Sequence, residues 1–149
     1  MRFAVASDHA GFAVKEWVKQ RLMEYGHEVV DYGAKSEAPC DYPDTGRLAA
    51  EAVSRGNCER AVLVCGTGIG MSIVANKVPG VLAALCMNGI QAEYSRRHNN
   101  SNVLVMGGWL TGKLMAEEIL ERWLKAEFEG GRHARRVAKI EGTNGTLGG

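Results

Sequence analysis

Short unbroken apolar runs alternate along this chain with longer stretches whose apolar residues recur every three or four positions. Unbroken runs rich in valine predict strands buried on both faces, and the 3.6-residue recurrence predicts amphipathic helices. Residues 2–6 read as a first strand, and about 11–25 as a helix with Phe12, Val14, Trp17, Val18 and Leu22 on its apolar face. Gly26 ends that helix, and Val29-Val30 sit in a second strand before an irregular stretch from Gly33 to Pro43. A helix over about 44–55, closed by Gly56, leads to a strand over 61–65 and a helix over about 69–77 ended by Pro79-Gly80. A fourth strand (81–86), a helix (about 89–97), a fifth strand (102–106) and a long helix (about 111–127) follow. Gly130-Gly131 breaks the long helix, and a basic helix runs over about 132–140. This βα alternation predicts one doubly wound α/β domain over 1–141, its parallel sheet covered on both faces. The tail over 142–149 holds four glycines and is expected to fray.

Charge and cysteine usage narrow the function classes. A net charge of +1 gives no basis for a nucleic-acid or anionic-membrane partner, and no apolar run approaches spanning length. Met1-Arg2-Phe3-Ala4-Val5-Ala6-Ser7 turns polar too soon for a signal peptide, so a cytoplasmic location is expected. Cys40, Cys58, Cys65 and Cys86 form no C-x-x-C pair, and His9, His27, His98 and His133 form no H-x-x-x-H pair. Neither a disulfide framework nor a metal is expected.

The chemistry concentrates in Ala61-Val62-Leu63-Val64-Cys65-Gly66-Thr67-Gly68-Ile69-Gly70-Met71-Ser72, a strand whose cysteine opens a glycine loop leading into a helix. In an open α/β sheet that edge binds ligands, and glycines let backbone amides converge on an anion at a helix amino terminus. The same field favours a thiolate, so Cys65 is a candidate base or nucleophile, or else a small apolar residue closing a strand. The spacing excludes three phosphate-binding alternatives. Gly66-x-Gly68-x-Gly70 lacks the dinucleotide spacing, and position 90 is Ile where an acid is needed. Gly108-Trp109-Leu110-Thr111-Gly112-Lys113-Leu114 is one residue short of a phosphate loop and lacks its Ser/Thr. A low-molecular-weight phosphatase loop requires arginine where Met71 stands.

Four other clusters stand at predicted strand ends or helix starts: Ser7-Asp8-His9-Ala10-Gly11, Asp41-Tyr42-Pro43-Asp44, His98-Asn99-Asn100-Ser101-Asn102, and Gly130-Gly131-Arg132-His133-Ala134-Arg135-Arg136. Each has a purely structural reading: Asp8 and Asp44 as helix caps, His9 as a satisfied histidine, the asparagines as turn residues, the arginines as a solvated face. The joint expectation is that all of them gather around one sheet edge.

On these segments, together with Asn76-Lys77-Val78-Pro79-Gly80, the chain resembles the ribose-5-phosphate isomerase B family (the RpiB/LacAB sugar-phosphate isomerases) over residues 1–141. The resemblance implies a three-layer Rossmann-like fold with a five-stranded parallel sheet and an extra C-terminal helix. It also implies a homodimer or tetramer with active sites shared between subunits, and no cofactor. It implies aldose–ketose isomerisation of a sugar phosphate through a cis-enediolate, with ribose 5-phosphate as the expected substrate. Cys65 would be the base, with Thr67 and the amides of the 66–70 loop stabilising the oxyanion, and Gly66, Gly68, Gly70 and Ser72 binding the substrate. His98 would open the furanose ring with Asp8 assisting, Tyr42 and Asn99 would touch the sugar, and His9, Arg132 and Arg136 would hold the phosphate. Some relatives carry a glutamate base at the position of Met71, which places this chain with the cysteine type. Many carry an arginine where this chain has Trp109, which opens a second reading: a tetrose or hexose phosphate such as erythrulose phosphate, allose 6-phosphate or galactose 6-phosphate. A third is a non-catalytic sugar-phosphate-binding subunit.

Overall fold

The computed structural model describes residues 1–140. The expectation about the 142–149 tail falls outside them. Strands β1 (Arg2–Ser7), β2 (Glu28–Asp31), β3 (Arg60–Cys65), β4 (Ala83–Leu85) and β5 (Val103–Gly107) alternate with helices α1 (Phe12–Glu24), α2 (Tyr42–Ser54), α3 (Ile69–Asn76), α4 (Gly89–Arg97) and α5 (Lys113–Lys125). Helix α6 (Arg132–Ile140) follows α5 with no strand between. All pairings are parallel, in the order β2-β1-β3-β5-β4, so this is the doubly wound, Rossmann-like architecture with its extra C-terminal helix.

The unbroken apolar runs become strands because both faces of the sheet are covered, and the two faces differ in bulk. Ala4, Ala6, Ala61, Leu63, Val103 and Val105 face α2 and α3, which contribute Ala49, Ala50, Ala52, Met71 and Ala75. Small side chains there let helix backbones approach closely. Phe3, Val5, Val62, Leu104 and Met106 face the other way, against Val18, Leu22, Ala92, Ile119, Leu120 and Trp123. No helix among the described residues is long and apolar enough to cross a membrane.

Element bounds depart from the periodicity at the ends. Helix α2 starts at Tyr42 rather than near 44, because Pro43 is tolerated in a first turn where its missing N–H has no intrahelical partner. Strand β4 keeps only Ala83–Leu85; Asn76 replaces a strand neighbour on its outer side, donating to Ala83 O and accepting from Ala83 N.

The order places a topological switch point between β1 and β3, where one strand's crossover leaves leftward and the other's rightward. A buried lysine stiffens the adjacent turn. Lys15, 1% exposed, donates to Asp31 Oδ1 and Oδ2 at 3.0 and 2.9 Å and to Ala34 O. Asp31 in turn accepts from Gly33 N, whose carbonyl takes Ser7 N. Burial pushes the Asp31 carboxyl up, but the Gly33 amide and the Lys15 and Lys19 ammoniums together hold it below the usual carboxylate range. Lys15→Met should cost on the order of 2 kcal/mol in chemical denaturation. This is less than the roughly 3–5 kcal/mol for breaking a fully buried pair, because Asp31 keeps water and Lys19. Asp31's lowered pKa gives stability present above its unfolded value and lost as pH falls through its folded one. The gap between wild type and variant should therefore narrow in acid, below roughly pH 4.

Candidate functional site

Cys65 closes β3, opposite Gly107 of β5, and is 5% exposed. It lines an open pocket of about 380 Å³ at the carboxyl edge of the switch point, with Asp8, Tyr42, Gly66, Thr67, Ile69, Gly70, Ile73 and Trp109. Helix α3 opens this pocket with its amino terminus, where the first amides have no intrahelical partner. Its N-cap, Gly68, has φ +82°, a left-handed turn that glycine adopts without strain. Thr67 Oγ1 accepts from Ile69 N at 3.3 Å, which leaves the hydroxyl hydrogen free to donate elsewhere.

The other glycines of the loop serve two aromatic rings. A Cβ on Gly66 would sit 2.8 Å from the Trp109 ring, and one on Gly70 would sit 2.5 Å from Tyr42 Cε1. Trp109 is fixed over the loop by its own amide, which donates to Gly66 O at 3.0 Å, while Gly108 N donates to Cys65 O. Its indole is nonetheless 72% exposed and forms one wall of the pocket. Asp8 is buried and accepts from Gly11 N at 3.0 Å, so it holds the turn that leads into α1, whose N-cap is Gly11, while lining the pocket. His9 stands beside it, exposed, its Nδ1 accepting from Cys40 N at 3.2 Å. Ser72 Oγ donates back to Ile69 O within α3 and does not line the pocket.

The remaining expected residues lie elsewhere, which corrects the expectation of a single sheet edge. His98 caps the carboxyl end of α4, and Asn102 N and Ala61 N tie the segment after it to the start of β3 and to Leu82. From Ala61 to Cys65 the strand takes four steps of roughly 3.3 Å, so His98 and Asn99 are separated from Cys65 by about 13 Å of sheet. Loops that follow strands reach the carboxyl edge; loops that follow helices return to the amino edge.

At that amino edge a second constellation is built with care. Asn100 takes the left-handed turn (φ 53°), and Asn102 accepts from Leu82 N and donates to Gly80 O, so the asparagine run is partly turn chemistry. Buried Ser101 joins Ser95 of α4 to Trp123 Nε1 of α5. Buried Arg96 donates to Ser101 O and Asn100 Oδ1. On this base His98 stacks on His133, with centroids 4.0 Å apart and planes within 11°, and meets Tyr94 edge-on. Glu129 lies between the two histidines, Oε1 at 3.8 Å from His98 Nε2 and 3.5 Å from His133 Nε2, while Oε2 accepts from Arg97 Nε at 2.6 Å. The Arg97 hydrogen bond holds Glu129 below the usual carboxylate range. Burial, then the neighbouring His98 and Arg132 charges, hold His133 below the usual histidine range. Exposed Arg132 and Arg136 share this edge, and Asn99 is exposed nearby. Glu129 and His133 were absent from the expected site; the signal available was Glu129-Gly-Gly-Arg-His133, a carboxylate and an imidazole around a glycine break.

The model of the Ribose/Galactose Isomerase family matches residues 3–140. The chain is 42% identical to the ribose-5-phosphate isomerase B of Escherichia coli over 93% of either chain. It is 41% identical to a D-erythrulose-4-phosphate isomerase of Pectobacterium atrosepticum, over 94% of this chain and 93% of that one. A Clostridium thermocellum ribose-5-phosphate isomerase B superposes with a TM-score of 0.95 at 46% identity, covering 97% of this chain and 98% of its own. A Mycoplasma genitalium ribose-5-phosphate isomerase B with bound ribulose 5-phosphate superposes at 0.91 with 38% identity, over 97% and 96%.

The ring packing on the loop makes a prediction that reverses sign with background. Gly70→Ala gains about 1 kcal/mol of helix propensity but overpacks Tyr42 at a cost of roughly 1–3 kcal/mol, so it should destabilise the wild type. In a Tyr42→Ala background the same change should stabilise, read from a double-mutant cycle in denaturant. Equal effects in both backgrounds would dismiss the ring as the reason for this glycine.

Proposed function

Because this chain belongs to the ribose/galactose isomerase family and interconverts aldose and ketose phosphates, we propose that it turns ribose 5-phosphate into ribulose 5-phosphate at a site completed by a second copy of itself. The observation that carries this reading is Cys65, a thiol in the wall of an open pocket beneath a glycine loop and a helix amino terminus. As thiolate, Cys65 takes the proton from C2 of the open-chain aldose and returns it to C1. A proton passes meanwhile from the C2 hydroxyl to the C1 oxygen, so no atom is gained or lost and no cofactor is required. The enediolate formed between these steps is held by the Thr67 hydroxyl and the loop amides at Gly66, Gly68 and Gly70, an electrostatic contribution worth several kcal/mol in comparable sites, ~3 per donor. Asp8 orients the sugar hydroxyls, Tyr42 packs along the chain, and His9 meets the phosphate.

Ring opening needs a further acid/base besides Cys65 and Asp8, which already have tasks in the carboxyl-edge pocket. His98 supplies it from the partner, with Asn99 on the sugar and Arg132 and Arg136 on the phosphate. Exposed Tyr42, Leu48, Ile69 and Ile73 near one half-site, Tyr94 against His98 in the other, and Met87 and Ile90 at the opposite end of α4 are the apolar surface a second copy would cover. Four unpaired thiols suit a reducing cytoplasm, where we place the enzyme.

Trp109 favours a second reading. An indole wall offers one donor where a guanidinium offers five, and it narrows the pocket above Gly66. That suits a shorter sugar such as a tetrose phosphate, the substrate class named for the Pectobacterium relative.

Cys65→Ala should lower turnover on the order of 10²-fold or more without unfolding the chain, and His98→Asn should impair cyclic substrate more than open-chain substrate. Mixed after co-refolding, these two inactive variants should regain about a quarter of wild-type activity, since half the dimers are hetero and each holds one intact site. No recovery would make the site internal to one chain. Trp109→Arg should tighten ribose 5-phosphate binding, read in KM; a preference for tetrose phosphate in wild type that the variant loses would select the second reading.

A further inference from the structure

The positive-φ glycines Gly130 and Gly131 turn the chain so that Glu129 and His133 face each other across the His98 ring. One ligating atom from each of the three residues lies within 4.8 Å of the other two. A tetrahedral zinc site with metal–ligand bonds near 2.0–2.1 Å sets its ligands roughly 3.3 Å apart, so the 3.5 and 3.8 Å separations here need only a small contraction. The second observation is His133 itself. Its Nε2 is buried without a hydrogen-bond partner, and the residue is 5% exposed, so a nitrogen able to coordinate lies 3.5 Å from the Glu129 carboxylate without a hydrogen bond to it.

We infer that His98, Glu129 and His133 form a binding site for a divalent transition-metal ion of the zinc type. The set of two imidazoles and one carboxylate is a nitrogen–oxygen donor set suited to zinc, and it leaves a fourth position open. Arg97 acts as the outer partner, fixing the second carboxylate oxygen of Glu129. His98 is partly exposed, so the ion enters from its side, and its ring opens from the near-parallel stack to aim Nε2 at the metal. Arg132 and Arg136 oppose a cation, which sets the affinity below that of a structural zinc site. An ion held here occupies the His98 lone pair; inhibition by zinc therefore rests on the reading of His98 as the ring-opening acid, whereas binding does not.

The test uses the full chain carrying Cys65→Ser, so that the pocket thiol cannot bind the probe. Zinc is titrated in competition with a chromophoric chelator. One zinc per chain at micromolar concentration is expected, weakened by more than the roughly 10–100-fold that loss of an outer-shell partner costs when Glu129→Gln or His133→Gln is added. No binding, or binding unchanged by both additions in chains whose circular dichroism is native, overturns the site. In wild type, chelator-reversible inhibition by zinc that Glu129→Gln relieves supports it further. Zinc bound at this cluster without inhibition upholds the site and removes His98 from the reaction.

Discussion

A parallel ladder can be connected only through crossovers, so every loop that follows a strand emerges on the carboxyl edge of this sheet and every loop that follows a helix on the amino edge. That constraint distributes the polar residues before any side chain is considered. Asp8, His9, Tyr42, Cys65 and Thr67 follow strands and gather at the switch point between β1 and β3. His98, Asn99, Glu129, Arg132 and His133 follow helices and gather about a strand length away. Neither group can migrate to the other without a change of topology. A chemistry that needs both therefore calls for two chains, whatever the local quality of each half.

The halves are made rigid by different means. At the carboxyl edge, absence of side chains does the work: Gly66 and Gly70 let the Trp109 and Tyr42 rings close on the loop, and Gly68 supplies the left-handed turn into α3. At the amino edge, polar groups are satisfied in the interior, through Ser95, Ser101, Trp123 Nε1 and Arg96. Glycine packing tolerates an open, exposed mouth. A buried hydrogen-bonded base instead holds His98 at a helix terminus that would otherwise fray.

Strand and helix identity was legible because the sheet is covered on both faces, which makes β1, β3 and β5 continuous apolar runs, and because helix ends carry glycine. The placement of Cys65 at a strand end before the glycine loop and α3 was legible in the same way, since an apolar run closes on the cysteine and three alternating glycines follow. The edge on which His98 lies was not read correctly. A cluster before a strand and a cluster after one look alike in composition, and only the direction of the ladder separates them. His133 was singled out in its cluster but given no site role, and Glu129 was not singled out, because their proximity depends on Gly130 and Gly131 at φ 68° and 55° and on His98 more than thirty positions earlier. The ring-packing role of Gly66 and Gly70 was likewise hidden, since Tyr42 and Trp109 are distant in sequence and the amide-cradle explanation already sufficed.

Each half is therefore preorganised within one chain, while in the proposed dimer their mutual placement would belong to the surface between two. Catalysis by orientation is sensitive at the ångström scale: a misplacement of about 1 Å costs on the order of 10²-fold, comparable to losing an acid/base group outright. Ile69 and Ile73 lie one helical turn apart on the exposed face of α3, directly beside the Cys65 pocket, and Ile90 and Tyr94 are spaced alike on α4, whose end carries His98. Ile69 and Ile73 also line the Cys65 pocket. In the proposed dimer a docking surface built from these side chains would set the distance between thiol and imidazole, so its packing would act on turnover through geometry rather than through the stability of the single chain. On that proposal the apolar faces of α3 and α4 would belong to the catalytic apparatus, with a tolerance set by the reaction and not by the fold.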